Sequence, residues 1–228
     1  MSKILLNKNI TSFSSHKIYA FIKEFSVEDL SYLNERELEI WNDKKRLLRN
    51  GNNWVIGRVT AKYSIAQCLD INPEEMKNLY IQNSSNGAPY FSDKRMNNLV
   101  FSISHCSEVG FSCSSTIHLS IGCDIEKIRK RHPKFQSYYL SVSEENQWIK
   151  EVVGEDRNTI LTIAWSCKEA CFKCLSSIKE EFTETINDIK IYPFSERVYD
   201  FKFVYRNKEG YGYWEKYKNF IISIAVLL

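Results

Sequence analysis

The order of strand-like and helix-like stretches predicts an α+β protein built from two halves, residues 1–118 and 119–228. Three observations carry that reading. One helical pattern fills the middle of the first half, and alternating apolar and polar runs cluster near the centre of the chain. Two further helical patterns then lead into an all-strand C-terminal stretch. At 228 residues the chain can hold one large domain or two of about 110 residues each. Its 43% hydrophobic content, with 14% aromatic residues, supplies a core that a disordered chain lacks.

Residues 24–50 are rich in Glu, Lys, Arg and Leu and are expected to form one or two surface helices, broken by Asn50-Gly51-Asn52-Asn53. From Trp54 to Leu69 the apolar positions Val55, Ile56, Val59, Ile65 and Leu69 recur at helical spacing, which predicts a helix with one buried face. Asp70 to Pro73 ends it. Residues 99–105 place Leu99, Phe101 and Ile103 on one side of a strand, and Val109, Phe111 and Cys113 repeat the alternation. Joined through His105-Cys106-Ser107-Glu108, the two runs predict a hairpin. A third run follows at Leu119, Ile121, Cys123 and Ile125. Helical patterns then cover 142–152 and 158–178, and 186–228 reads as strands with a turn at Asn207 to Gly210. No internal repeat strong enough to relate the two halves is present in the sequence.

A formal net charge of +3 is too small to point to nucleic acid, whose binding domains concentrate basic residues. Met1-Ser2-Lys3-Ile4-Leu5-Leu6 is too short an apolar run for a signal peptide. No stretch approaches the roughly 20 apolar residues of a membrane span. The expectation is a cytoplasmic protein, with neither nucleic acid nor membrane as partner, whose seven cysteines are reduced thiols.

Gly122-Cys123-Asp124-Ile125-Glu126 is the sharpest local feature. Residues two apart on a strand share a face, so Asp124 and Glu126 stand roughly 7 Å apart on the side away from the apolar residues. Two carboxylates so placed can flank a hard cation such as Mg²⁺, and Gly122 would let a ligand approach the backbone. Two solvated acids on an exposed strand fit the same residues. Next comes Trp165-Ser166-Cys167-Lys168-Glu169-Ala170-Cys171-Phe172-Lys173. On a helix Trp165, Glu169 and Lys173 share one face, with Lys168 at its edge. Glu169 could supply a third carboxylate and Lys173 could reach a phosphate, although a surface Glu–Lys pair has the same spacing. Ser102-Ile103-Ser104-His105 offers a strand-end histidine for a phosphate or ribose, or simply a hydrogen-bonded structural histidine. Arg58 and Lys62, four residues apart, offer paired cations for a phosphate or a plain solvated helix face.

Taken together, S-I-S-H, then G-x-D-I-E, then W-S-x-K-E-A-x-x-K resemble the Sfp-type 4′-phosphopantetheinyl transferases in order and spacing. Trp54 to Lys62 resembles that family's W-x-x-G-R-x-x-A-K stretch. Asn86-Gly87-Ala88-Pro89 stands where the family often has G-K-P, and Tyr139 to Glu145 is similar to its aromatic-then-S-x-x-E segment. The resemblance spans about residues 50 to 175. It implies a pseudo-dimer of two similar α/β halves, with coenzyme A in the cleft between them and the acidic metal site on the C-terminal half. It further implies Asp124, Glu126 and Glu169 as ligands of Mg²⁺ (with Mn²⁺ as a substitute), and Asp124, Glu169 and Lys173 as the catalytic group. Lys173 and Lys168 would meet the coenzyme A diphosphate, while Ser104, His105, Arg58, Lys62, Gly87 and Pro89 would line the rest of the nucleotide. The implied reaction moves the phosphopantetheine arm to a serine of an acyl or peptidyl carrier protein and releases 3′,5′-ADP. A monomer is implied, because one chain supplies the whole site.

Two departures stand out. Ala88 replaces the lysine of G-K-P, so Arg58 or Lys62 would have to compensate, and Cys106 follows S-I-S-H where serine is usual. Three other readings fit parts of the same pattern. Cys167-x-x-x-Cys171-x-x-Cys174 has the spacing of a radical-SAM iron–sulfur motif, but at helical spacing it also forms a small-residue stripe that packs well when buried. Three acids and a lysine would suit a Mg²⁺ nuclease, against which the weak net charge speaks. A degenerate homologue that only binds carriers would not need all three acids and Lys173. Arg129-Lys130-Arg131 could steer an acidic carrier surface, or be an ordinary solvated loop.

Overall fold

The chain is mixed α and β, and its computed structural model describes residues 18–48, 51–85, 87–91, 98–117, 120–132, 134–178, 185–193 and 200–227. The Met1–Leu6 run, Asn50, Asn86 and the joint at 118 fall outside that set. Two compact units divide the chain, Met1–His118 and Leu119–Leu228. Among the described residues no helix is long and apolar enough to cross a membrane.

In the first unit a three-stranded antiparallel sheet runs in the order β1 (Tyr19–Glu24), β5 (Val109–Ser115), β4 (Val100–Cys106). The hairpin between β4 and β5 turns at Ser107 and Glu108, both at positive φ (50° and 62°), the left-handed geometry that suits a two-residue hairpin turn. Asn52 and Asn53 grip this turn. The Asn52 amide donates to Glu108 Oε1 at 2.9 Å, and Asn53 Oδ1 accepts from the Glu108 N–H at 2.7 Å. The boundary between two helices falls near the expected place, after Leu48, and the described part of the predicted breaker segment opens the second helix. From Gly51 onward it is the first turn of α2 (Gly51–Leu69), and Gly51 is there because a Cβ would press on Trp41 at 3.1 Å.

Helix α2 lies on the sheet face that carries Phe21, Ser112 and Ser114. Phe21 stacks on Tyr63 with ring centroids 4.5 Å apart, and the Ser112 hydroxyl bonds the Ser64 hydroxyl at 3.0 Å. Strand β5 thus turns serines toward the helix, while Phe111 and Cys113 are buried on its other face. Alternation located the strand but not the direction of its polar side. Strand β1 and the small hairpin of β2 (Ile81–Asn83) and β3 (Pro89–Phe91) fall where the sequence predicted no element. Residues 24–50 form a short 3-10 turn, Val27–Tyr32, and then α1 (Glu35–Leu48). They are not purely surface, since Asp29 and Glu37 are 1% and 0% exposed.

The second unit is a five-stranded antiparallel sheet in the order β6 (Ser120–Lys127), β10 (Phe220–Leu227), β9 (Lys208–Tyr217), β8 (Phe201–Tyr205), β7 (Lys190–Pro193). A Ser141/Glu144 capping box opens α3 (Val142–Glu151), and Asp156 caps α4 (Arg157–Ser176) by accepting from the Asn158 and Thr159 N–H groups. Helix α4 lies across β6 and β10 on a core of Trp148, Ile163, Ala170, Phe201, Phe203 and Ile221. The β8–β9 turn is Arg206 (φ 52°) and Asn207, so it meets the expected site at its first residue only. Gly210 is no turn residue; it sits in β9, where a Cβ would strike the Phe203 ring at 2.2 Å.

Candidate functional site

Gly122 decides which face of β6 matters. A Cβ there would lie 2.0 Å from the Ala170 carbonyl oxygen and 2.4 Å from Cys174 N, so α4 rests directly on the strand. The expectation that Gly122 opens the backbone to a ligand is corrected: the group that approaches it is the helix. Asp124 and Glu126, two and four residues on, share this face and look at α4 rather than at solvent. Asp124 is 4% exposed.

Opposite them α4 presents Lys173, Glu169 and Trp165 in one row. Lys173 Nζ donates to Asp124 Oδ1 at 2.8 Å and to the Cys123 carbonyl at 3.2 Å. Trp165 Nε1 donates to Glu126 Oε1 at 3.2 Å. Glu126 Oε2 accepts from Arg131 Nη2 at 2.6 Å. Arg131, the last residue of the basic run 129–131, is not solvated: its side chain is 9% exposed and its guanidinium lies 4.8 Å over the Phe135 ring. Phe135 and Tyr139 both meet Trp165 edge-on, at 5.2 and 5.0 Å.

Glu169 stands between these charges. Burial first, and then the negative charge of Asp124 and Glu126, push its carboxyl up to about 7, against the pull of Lys173. For Lys173, burial favours the neutral amine, but the facing Asp124 carboxylate and neighbouring Cys123 outweigh it and hold the ammonium above its ordinary value. The donor set is three oxygen acids with a cation at each end of the row, which by its chemistry fits a hard divalent ion. In the arrangement described, however, Asp124 is engaged with Lys173 and Glu126 with Arg131. Among the described residues no three of His, Cys, Asp and Glu stand close enough to hold one metal ion.

Lys168 departs from its predicted place. It is 0% exposed and its ammonium lies 3.1 Å from Glu144 Oε1, within the core and away from the Lys173 row. Burial lowers its proton affinity and Glu144 works against that. Glu144 also accepts from the Ile191 N–H at 3.2 Å and closes the α3 capping box, so this is a structural junction between α3, α4 and β7. The cysteine stripe is core as well. Cys167, Cys171 and Cys174 are 0% exposed, and burial raises all three thiols, Cys174 to about 12, which disfavours the thiolates that an iron–sulfur cluster would need.

The first unit holds the remaining predicted residues. Arg58, 7% exposed, hydrogen-bonds Asn83 Oδ1 through Nη2 and lies 5.3 Å over the Trp54 ring. Asn83 in turn donates to the Gly87 carbonyl at 2.6 Å. This asparagine, which sequence reasoning missed, ties Arg58 to the loop before Pro89, and Gly87 there has φ 86°. His105 is exposed at the end of β4, close to Gly57, where a Cβ would lie 3.1 Å from its ring. Ser104 beside it is 8% exposed. Lys62 does not join this group, and its expected contact with a nucleotide is corrected. Wholly buried, it pairs with Glu37 at 2.5 Å and donates to the Tyr32 carbonyl at 2.8 Å and the Lys77 carbonyl at 3.3 Å. The residue that could stand in for the absent lysine at Ala88 is therefore Arg58.

A family model described as the 4′-phosphopantetheinyl transferase superfamily matches residues 120–225, the stretch that holds Asp124, Glu126, Glu169 and Lys173. No curated protein matches the chain. Among solved structures the chain is similar to the holo-[acyl-carrier-protein] synthase of Thermotoga maritima, with 16% identity and a TM-score of 0.38 over 49% of this chain. It spans 64% of that protein, less than two thirds of its length. The superfamily match thus attaches to the second unit, where the acidic row lies.

Proposed function

We propose that the chain transfers the 4′-phosphopantetheine arm of coenzyme A to a serine hydroxyl of an acyl or peptidyl carrier protein. The observation that carries this reading is the facing of the two rows, with Asp124 and Glu126 on β6 against Lys173 and Glu169 on α4. The superfamily match to the same residues supports it, as does the Sfp-type motif order. Asp124, Glu126 and Glu169 would hold a Mg²⁺ or Mn²⁺ ion, which when bound offsets their mutual repulsion and polarises phosphate oxygens.

The chain's own residues then have distinct tasks. Lys173 keeps its proton and donates to the diphosphate oxygens as charge builds on the leaving 3′,5′-ADP. Glu169, on the same row, is assigned the role of accepting the serine proton. The serine oxygen forms its bond to the β-phosphorus as the bond from that phosphorus to the oxygen of 3′,5′-ADP breaks. In the first unit Arg58, Ser104 and His105, with the Gly87–Pro89 loop, are assigned to the 3′-phosphate end of coenzyme A.

Incubation with coenzyme A, Mg²⁺ and several apo carriers, read by intact mass spectrometry, tests the proposal. A gain of one phosphopantetheine on the carrier, lost with EDTA and in Asp124→Ala, is the expected result. Unchanged carriers in every case, with no binding of coenzyme A, would overturn it.

A further inference from the structure

Arg58 is held from two sides, and neither side cancels its charge. On α2 it follows Trp54 by one turn, and its guanidinium lies 5.3 Å over that ring. Its Nη2 donates to the side-chain oxygen of Asn83 at the end of β2. The residue is 7% exposed, and its Nε is buried with no hydrogen-bond partner among the described residues. Glu37, the acid whose charge pulls on it, is engaged through Oε2 with Lys62. The positive charge thus sits on a desolvated fork between a ring and an amide, a setting that favours an anion as its further partner. Asn83 is itself exposed, and its amide nitrogen donates to the Gly87 carbonyl at 2.6 Å. The loop it closes is tied again by the Ser84 N–H to the Ala88 carbonyl and the Gly87 N–H to the Ser84 carbonyl, each at 2.9 Å. One side chain therefore joins the guanidinium to the loop before Pro89.

We infer that Asn83 is a positioning residue that acts through Arg58: its neutral amide fastens the guanidinium to the β2–β3 loop without cancelling the charge, and so sets the preference for a nucleotide that carries a 3′-phosphate. The inference deepens the coenzyme A assignment proposed above and rests on it. An amide suits both halves of the task. Its oxygen accepts from Arg58 while its nitrogen holds the Gly87 carbonyl, which a carboxylate, having no donor, cannot do. An aspartate at 83 would grip Arg58 more strongly, as a charge-assisted pair, and would offset the charge that an incoming phosphate needs. With alanine at 88, no cation in that position makes up the loss.

Calorimetry on the full chain with coenzyme A and with 3′-dephospho-coenzyme A is the test, because a merely structural change would weaken both ligands alike. Asn83→Asp should bind coenzyme A about fivefold more weakly, and 3′-dephospho-coenzyme A within about twofold of wild type. Asn83→Ala, which releases Arg58 without adding a charge, should show the same selective loss at about threefold. Asn83 is exposed, so both variants should fold with thermal midpoints near wild type. Wild-type affinity for coenzyme A in Asn83→Asp, or an equal loss for the two ligands in both variants, would overturn the inference. A wild-type chain that binds the two ligands equally would overturn it as well, by removing the 3′-phosphate from Arg58. A wild-type chain that binds neither ligand would instead bring down the coenzyme A reading itself, and the inference with it.

Discussion

Helices α2 and α4 invite comparison, because each lies along an antiparallel sheet and each carries two cations that spacing alone would send to a phosphate. On α2, Arg58 reaches Asn83 and the Gly87 loop, while Lys62, one turn on, is wholly buried against Glu37. On α4, Lys173 faces Asp124, while Lys168 is wholly buried against Glu144. In each unit one cation of the pair meets a neighbouring strand or loop and the other locks the helix to a neighbouring helix. Four- and five-residue spacing does not distinguish these roles. The acid that captures the buried lysine comes from a separate helix in both cases, and its identity decides the outcome.

The comparison can be broken most sharply at the site itself. Glu169→Gln should cut transfer about a thousandfold, the scale of a lost general base, in a single-turnover assay with saturating coenzyme A. Loss of less than tenfold would move the proton-accepting role elsewhere. The buried lysines should behave in the opposite way. Lys62→Ala leaves the buried Glu37 without its cation and should cost about 3–5 kcal/mol of stability in urea unfolding, and Lys168→Ala should cost less, because Glu144 keeps Lys190 at 3.6 Å and its bonds from Ser141 and Ile191. The transfer rate per folded molecule should stay near wild type. A large loss of rate in folded Lys168→Ala would return that lysine to the catalytic group.

Titration sharpens the contrast further. Glu169 is raised from its ordinary 4.5 to about 7 in the folded chain, so as pH rises the unfolded carboxyl ionises first. The stability this group contributes is complete below about pH 4.5 and is lost as pH climbs through 7. Metal-free protein should therefore lose thermal stability between pH 5 and about 8. Glu169→Gln should flatten that slope, and Mg²⁺ should reduce it in the wild type. A slope that survives in Glu169→Gln would assign it to another group. The smallest effect belongs to Arg58→Ala, expected to weaken coenzyme A binding about tenfold by calorimetry while leaving the rate at saturation unchanged. Unchanged affinity would free the first unit from its assigned role.

Much of this was written locally. The alternation around Ile121, Cys123 and Ile125 located β6, and the four-residue steps of Trp165, Glu169 and Lys173 placed those side chains on one face of α4. Turn chemistry was less legible, because Asn52 and Asn53 look like breakers but serve as clamps on Glu108. The partners of Lys62 and Lys168 were hidden for a different reason. Each pairs with an acid more than twenty residues earlier in the chain, Glu37 and Glu144, and no periodicity reports which acid a fold will bring across. Arg131 looked like part of a basic loop because nothing in the pattern shows that its guanidinium lies over Phe135 and pairs with Glu126.

Gly122 and Gly87 would leave different signatures in a saturation library selected first for folding and then for transfer. At 122 every side chain starts with a carbon that overlaps the Ala170 carbonyl, so survivors should collapse to glycine in the first round, before any carrier is offered. At 87 the space is open and only the positive φ resists, so asparagine and aspartate should persist through folding selection and be sorted in the second round. The invariance of a glycine at the end of such an experiment would mean opposite things at the two positions, and the round in which alternatives vanish would say which.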